Sequence, residues 1–333
     1  ADSSLAVTGG IDAYATGSGG SLFSSGVSGG LGDGGSIEMQ ATGANALLTV
    51  GGNSSLQANG EGASGGGCFF CSGSGGDGLG GTIDVTVSGA NAQMLLSGNL
   101  DAEAEGHGGT GGDANGGFGQ GGSVSIRAYD GGLLDVTGDL DASADGFGGD
   151  REAGGYGGDF LFNAAKDLGG SGLGLEGVFA GNGLGGTVQV QTYGSDSPDI
   201  HVGGSATITA DGYGGDLNQP VDGTGGTGTG NVAWIGSNAG LIDIDGDATV
   251  SASGTGGDAV AGTGGAGLGG NAEIWVQGGA VSIGGSAYVS VDGTGGNGLT
   301  GGDGTGGGNG DPDNPIDGAH LFAQNGSITL GGS

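Results

Sequence analysis

The chain has 333 residues, of which 98 are glycine, and its formal charge is −33 because 36 acidic residues face only three Lys and Arg. A chain this acidic repels nucleic acid and anionic lipid, so neither is expected as a partner, and no apolar run is long enough to span a bilayer. The glycines follow no strict Gly-X-Y period, which excludes collagen, and apolar residues recur at strand spacing, which excludes plain disorder.

A unit of three short strands repeats along the chain. From the N-terminus, apolar residues alternate with polar ones at 5–7 (strand B), at 11–15 (strand C) and, after a glycine-rich stretch, at 37–39 (strand A). A period of two is typical of a β-strand with one buried face. The same order recurs in coils that begin near residues 1, 36, 82, 123, 187, 231, 271 and 319.

These repeats predict one all-β domain over residues 1–333, a right-handed parallel β-solenoid with three short strands per coil. The inward residues of strand A are predicted to be Ile37 and Met39 in the second coil, and Val232 with Trp234 in the sixth. The longest interval between coils holds a glycine-rich insertion at residues 150–186.

Long glycine-rich segments are predicted to leave one corner of every coil. Examples lie at residues 106–122, 254–271 and 293–309. They are either flexible loops or extended, polyproline-II-like strands that hydrogen-bond to one another and form a second lobe beside the solenoid. The sequence leaves both alternatives open.

Stacked carboxylates are predicted at the end of strand C, where Glu105, Asp145 and Asp211 follow one another in successive coils. They form either a solvated acidic wall or a Ca²⁺ site, because hard cations take oxygen ligands. A segment with Asp311, Asp313 and Asp317 has the composition of a calcium loop, although Pro315 occupies a ligand position of the EF-hand pattern. Calcium is the one cofactor that the sequence suggests.

Cys68 and Cys71 form a Cys-x-x-Cys pair in a glycine-rich segment. A zinc site would need four ligands, and no second cysteine pair exists. A local disulfide is the preferred interpretation, and two free thiols are the alternative.

Catalysis is not predicted. A polysaccharide lyase needs a basic residue at its site, and Arg127, Arg151 and Lys166 are far apart in the repeat. A glycoside hydrolase needs a convergent carboxylate pair, whereas the carboxylates here recur regularly along the walls. His107, His201 and His320 are scattered, with no evident nucleophile beside them.

An apolar surface patch is predicted near the C-terminal end, at the second outward position of strand A. There the column becomes apolar with Ile235, Trp275 and Phe322, and stacked exposed apolar residues mark an interaction surface. Together with coils that lack capping segments, the patch predicts end-to-end or lateral self-association, or a longer chain of the same repeats.

Coils such as Gly-Gly-Thr82-Ile-Asp-Val-Thr-Val and Gly138-Asp-Leu-Asp-Ala-Ser-Ala, placed between glycine-rich segments, resemble the β-helical repeats of large bacterial surface exoproteins. These are the filamentous-haemagglutinin-like adhesins and autotransporter passengers. The resemblance implies secretion to the cell surface and a structural or adhesive role.

The leading hypothesis is therefore a non-catalytic extracellular structural protein of a surface fibre or adhesin. The alternative is a ligand-binding solenoid. It would bind a cell-surface glycan through Trp275 and Tyr288, or ice through Thr207, Thr209 and Thr249.

Overall fold

The computed structural model describes residues 3–21, 27–65, 73–112, 114–151, 179–219, 222–307 and 318–332. In these ranges the chain forms 36 strands in five sheets, each built from parallel neighbours one coil apart, and it contains no helix. The predicted parallel β-solenoid is confirmed. Each complete coil contributes five strands, however, because two additional two-residue strands lie in the glycine-rich segments.

Walls A, B and C enclose the core. Wall A consists of β5 (Ser36–Thr42), β10 (Thr82–Ser88), β15 (Ser123–Tyr129), β20 (Thr187–Tyr193), β25 (Val232–Ser237), β30 (Asn271–Val276) and β35 (Ala319–Ala323). Wall B consists of β1 (Ser4–Val7), β6 (Leu47–Val50), β11 (Gln93–Leu96), β16 (Leu133–Val136), β21 (Asp199–Val202), β26 (Leu241–Ile244), β31 (Ala280–Ile283) and β36 (Ser327–Leu330). Wall C consists of β2 (Ile11–Tyr14), β7 (Ser54–Gln57), β12 (Leu100–Glu103), β17 (Leu140–Ser143), β22 (Ala206–Thr209), β27 (Ala248–Ser251) and β32 (Ala287–Ser290).

Two narrow sheets form a glycine lobe beside the walls. The outgoing sheet follows wall C and consists of β3 (Gly17–Ser18), β8 (Gly60–Glu61), β13 (Gly106–His107), β18 (Gly146–Phe147), β23 (Gly212–Tyr213), β28 (Gly254–Thr255) and β33 (Gly293–Thr294). The returning sheet precedes wall A and consists of β4 (Gly32–Asp33), β9 (Gly78–Leu79), β14 (Gly119–Gln120), β19 (Gly183–Leu184), β24 (Gly228–Thr229), β29 (Gly267–Leu268) and β34 (Gly304–Thr305).

The core is a column of aliphatic side chains from all three walls. In the third coil Val85 of wall A, Leu96 of wall B and Ala102 of wall C are completely buried. Wall C supplies alanines at such positions in most coils, and their small volume lets this wall approach the other two closely. The period-two pattern therefore places the core as the sequence predicts.

The predicted register of wall A is wrong in the sixth coil. Val190 of the fifth coil pairs with Ile235, not with Trp234, and Ile235 is completely buried in the core while Trp234 points outward. Val232, Ala233, Trp234 and Ile235 are all apolar, so both phases of a period-two pattern fit. A slip of one residue exchanges the two faces of the strand.

The glycine lobe is held by backbone hydrogen bonds that alternate between outgoing and returning segments. Gly117 N–H donates to the Gly109 carbonyl at 2.8 Å, Gly149 N–H to Gly117 at 2.8 Å, and Gly181 N–H to Gly149 at 2.9 Å. Gly215 N–H continues the series to Gly181 at 2.9 Å. In the described residues the segments are thus ordered, as the second-lobe alternative expects, and the series runs parallel to the solenoid axis.

Glycine is required at these positions by close backbone approach. A Cβ atom added to Gly149 would lie 2.1 Å from the Gly109 carbonyl oxygen, and one added to Gly181 would lie 1.9 Å from that of Gly117. Real Cβ atoms do not come this near to backbone oxygen, so any side chain would force neighbouring coils apart. The high glycine content follows from this packing.

We predict that Gly149→Ala lowers the free energy of unfolding by about 1–3 kcal/mol, the cost of inserting a methyl group into a packed interior. Gly301→Ala is the matched control, because no atom lies within 4 Å of a Cβ placed there. Urea denaturation followed by circular dichroism measures both. Equal stability of the two variants would contradict the packed lobe.

Candidate functional sites on the outer walls

The acidic column at the end of wall C is a hydrogen-bonded ladder. Asp211 N–H donates to Asp145 Oδ1 at 2.8 Å, and Ser253 N–H donates to Asp211 Oδ1 at 2.6 Å. Glu105 N–H likewise donates to Asn59 Oδ1 at 2.9 Å and Asp292 N–H to Ser253 Oγ at 3.1 Å. Glu105 itself contacts the next coil through the Ser143 hydroxyl, which donates to Glu105 Oε1 at 3.1 Å. Side-chain oxygens of one coil therefore cap backbone N–H groups of the next.

Asp145 is the most perturbed carboxyl group of this ladder. Its burial raises its pKa to about 7, against the lowering effect of the hydrogen bonds from Asp211 N–H and the Thr209 hydroxyl. The structure brings Glu105, Asp145 and Asp211 into one column, as predicted, and gives that column a structural role that needs no cation. Calcium binding there stays a prediction. Asp311, Asp313 and Asp317 lie outside the described residues, as do Cys68 and Cys71.

A second ladder, which the sequence analysis missed, follows the turn between walls B and C. Each member accepts a hydrogen bond from the backbone N–H of the next coil at 2.7 to 3.1 Å, and the acceptors are Asn53, Asn99, Asp139, Ser205 and Asp247. The signal was present in the sequence as a recurring Asn, Asp or Ser after the turn glycine. Such side chains readily accept backbone hydrogen bonds at turns.

Protonation of the buried carboxyl group should make stability depend on pH. Asp145 has a folded pKa of about 7, above its ordinary value of 3.8, so the folded chain holds this proton more tightly than the unfolded chain. The resulting stabilisation is complete below about pH 4 and is lost as the pH rises through 7. Burial also raises the pKa of Asp101, Glu103 and Asp141, which adds to the same trend.

We therefore predict that the thermal midpoint falls between pH 5 and pH 8, and that Asp145→Asn makes this fall shallower. The amide keeps the acceptor Oδ1 for Asp211 N–H but cannot ionise. Asp12→Asn on the exposed face of wall C is the control, and its slope should match the wild type. A midpoint that rises toward pH 8 in the wild type would refute the prediction.

The outer face of wall A carries an indole pair near its C-terminal end. Trp234 and Trp275, both half-buried, have ring centroids 5.4 Å apart and planes inclined by 43°. The Trp275 ring lies over Gly236, where a Cβ would come within 2.2 Å of Cε2. Phe322, 51% exposed, follows Trp275 in the next coil.

The predicted interaction patch is thus corrected. Trp275 and Phe322 are neighbours on the surface of wall A, but Ile235 belongs to the core. The residue that pairs with Trp275 is Gly236, and Trp234, which pairs with Glu273, reaches the Trp275 ring from a neighbouring outward position. Tyr288, predicted as a second stacking platform, is 59% exposed. It lies on wall C, whereas Trp275 and Trp234 lie on wall A. Further along wall A, Tyr129 and Tyr193 stack with centroids 5.0 Å apart, beside an ion pair of Arg127 with Asp84.

A third aromatic stack lies on the outgoing sheet of the glycine lobe. His107, Phe147 and Tyr213 occupy the same position in three successive coils, with ring centroids 4.6 and 5.0 Å apart and nearly parallel planes. His107 Nε2 lies 3.0 Å from Glu105 Oε2, and the Tyr213 hydroxyl donates to Asp211 Oδ2 at 3.3 Å. The polar atoms at the two ends of this stack therefore link the lobe to the acidic ladder.

His201 is the centre of a polar cluster on wall B. Its Nδ1 lies 2.9 Å from Asp135 Oδ1 and its Nε2 lies 3.6 Å from Asp245 Oδ2. One ligand atom from each of His201, Asp243 and Asp245 lies within 4.8 Å of the other two. The hydrogen bond with Asp135 raises the pKa of His201. The sequence analysis did not connect these residues.

Among the described residues, the structure contains no helix that could cross a membrane. Comparison with protein-family models, with curated proteins and with solved structures finds no match.

Proposed function

We propose that this chain is a non-catalytic extracellular structural protein, part of the stalk of a bacterial surface fibre or adhesin. The observation that carries the proposal is that all five sheets, including both sheets of the glycine lobe, keep one register along the solenoid axis. Adjacent coils are therefore joined by backbone hydrogen bonds across the whole cross-section. This construction suits a stiff spacer.

Most of the residues in each coil widen the rod, and few of them lengthen it. Consecutive coils begin 35 to 64 residues apart in the sequence, yet each adds only about 4.8 Å to the length of the rod. A flexible linker of the same length would reach much further. A wide rod with few free backbone groups resists bending and proteolysis, which supports a role outside the cell.

Growth of such a rod needs more coils in the same register. We propose that these come from a longer chain of the same repeats or from end-to-end contact between copies. Lateral packing of walls is less favourable, because a formal charge of −33 makes neighbouring rods repel one another.

Labelling of intact cells tests the cellular part of this proposal. An antibody raised against the purified chain should label intact cells of the source bacterium, and brief protease treatment of those cells should remove the label. A cytoplasmic protein detected on the same cells serves as the control and should be labelled only after lysis. If this chain is labelled only after lysis, it is not an extracellular protein.

A second candidate function is binding of a neutral cell-surface glycan on wall A. It is favoured by Trp234 and Trp275, whose indole rings lie 5.4 Å apart and inclined by 43° on the outer face of wall A, since aromatic rings stack on the apolar faces of sugars. The acidic chain would repel acidic glycans, so the ligand is a neutral one. Ice binding has less support, because wall C pairs only Thr207 with Thr249 before Tyr288 follows.

The glycan candidate predicts that Trp234→Ala and Trp275→Ala each weaken binding at least about tenfold, a loss of about 1.4 kcal/mol. Tyr288→Ala is the matched control, because it removes an exposed aromatic side chain from another wall. A glycan array followed by titration of the best neutral ligand measures this. Failure of the wild type to bind any glycan, or equal affinity of all three variants, would remove the candidate.

A further inference from the structure

The polar cluster around His201 spans three neighbouring strands of wall B. Asp135 of β16, His201 of β21 and Asp243 of β26 are direct Cα partners and form one outward column. Asp245 lies two residues after Asp243, in the same coil, and its N–H donates to the Val202 carbonyl. Gly203, two residues after His201, carries no side chain at the remaining corner.

The cluster is not a by-product of the repeat. In the other coils the same column contains Ala6, Thr49, Leu95, Ser282 and Thr329, so the combination of one imidazole with carboxylates on both sides occurs once in wall B. It also lies on a different wall from the Glu105–Asp145–Asp211 ladder, whose Asp oxygens accept backbone N–H groups.

Asp135 orients the imidazole. An ionised carboxylate only accepts hydrogen bonds, so at the Nδ1–Oδ1 distance of 2.9 Å the proton stands on His201 Nδ1. In the neutral ring Nε2 then carries the lone pair, and it faces Asp245 Oδ2 at 3.6 Å. That separation is too long for a hydrogen bond, so among the described residues Asp135 is the one that holds the ring through a hydrogen bond.

The spacing of the free atoms suits a small cation. Two ligands of one tetrahedral Zn²⁺, with bonds of about 2.0–2.1 Å, are about 3.3 Å apart, close to the 3.6 Å between His201 Nε2 and Asp245 Oδ2. The ligand atom of Asp243 completes a group in which all separations are within 4.8 Å. A carboxylate that holds the far nitrogen of a metal-ligating histidine is a recurrent second-shell arrangement.

We propose that His201 Nε2 and the carboxylates of Asp243 and Asp245 bind one divalent transition-metal ion of the Zn²⁺ type, with Asp135 as the positioning residue. The imidazole nitrogen selects against Ca²⁺ and Mg²⁺, which take oxygen ligands. Three protein ligands leave one position of a tetrahedral ion open for water or for a partner's group. The inference is independent of the structural role proposed above, because a metal-free rod would keep the same walls.

Isothermal titration with Zn²⁺ tests the proposal on the full chain. Cys68→Ser and Cys71→Ser are introduced first, so that thiolates cannot contribute. Saturating Ca²⁺ is present to occupy the many surface carboxylates. We expect one site per chain that Ca²⁺ does not displace, and a rise of the thermal midpoint when Zn²⁺ is added.

Variants assign the ligands. His201→Gln should abolish the Ca²⁺-resistant site, Asp245→Asn should weaken it at least about tenfold, and Asp135→Asn should weaken it about 10- to 100-fold while leaving the stoichiometry at one. His107→Gln is the matched control, because His107 also lies beside a carboxylate, at 3.0 Å from Glu105, but belongs to no group of three potential metal ligands among the described residues. It should bind Zn²⁺ like the parent chain.

Two outcomes would overturn the proposal. One is that the parent chain has no Zn²⁺ site in the presence of saturating Ca²⁺. The other is that His201→Gln binds Zn²⁺ with unchanged stoichiometry and affinity, which would assign the ion elsewhere. Circular dichroism of each variant confirms folding, and Asp135→Asn gives a second measure of the site without removal of a direct ligand.

Discussion

The structure depends on one interaction, the backbone hydrogen bond that runs along the axis from each coil to the next. It holds walls A, B and C, and through the Gly109–Gly117–Gly149–Gly181 series it also holds the glycine lobe. Because the register is kept through the described coils, each strand residue stacks on the equivalent residue of the neighbouring coils. The outer surface is therefore a set of columns of side chains. In each column, either the same kind of side chain can stack on itself from coil to coil, or a different residue type interrupts the column.

In the acidic column at the end of wall C, hydrogen bonding and a raised pKa reduce the repulsion between stacked carboxylates. Carboxylates about 4.8 Å apart would repel one another, yet Asp145 and Asp211 occupy adjacent coils. Asp145 Oδ1 accepts the Asp211 N–H, and burial raises the pKa of Asp145 to about 7, so that its charge is reduced near neutral pH. Asn and Ser take equivalent places in the other ladder at no electrostatic cost. Part of the acidic composition therefore serves to accept hydrogen bonds from backbone N–H groups of the next coil.

The walls could be predicted from the sequence because inward residues alternate with polar ones in most strands. Prediction failed at Ile235, where four consecutive apolar residues leave no polar phase to set the face. For the glycine lobe the sequence left flexible loops and extended, hydrogen-bonded strands as open alternatives, because glycine has no side chain whose alternation could decide between them. His201 was not connected with Asp135 because the two residues are 66 positions apart, across the longest interval between coils.

The series through Gly149 and Gly181 has a consequence for how the chain tolerates changes in length. Gly117 bonds to Gly109 across a short connection at the outer end of the lobe, and Gly181 bonds to Gly149 in the same way across a much longer stretch of sequence. The walls on either side keep the same pairing. The connection at the outer end of the lobe therefore tolerates insertions. Evolution or a protein engineer can add a peptide or a domain there without shifting the coils on either side.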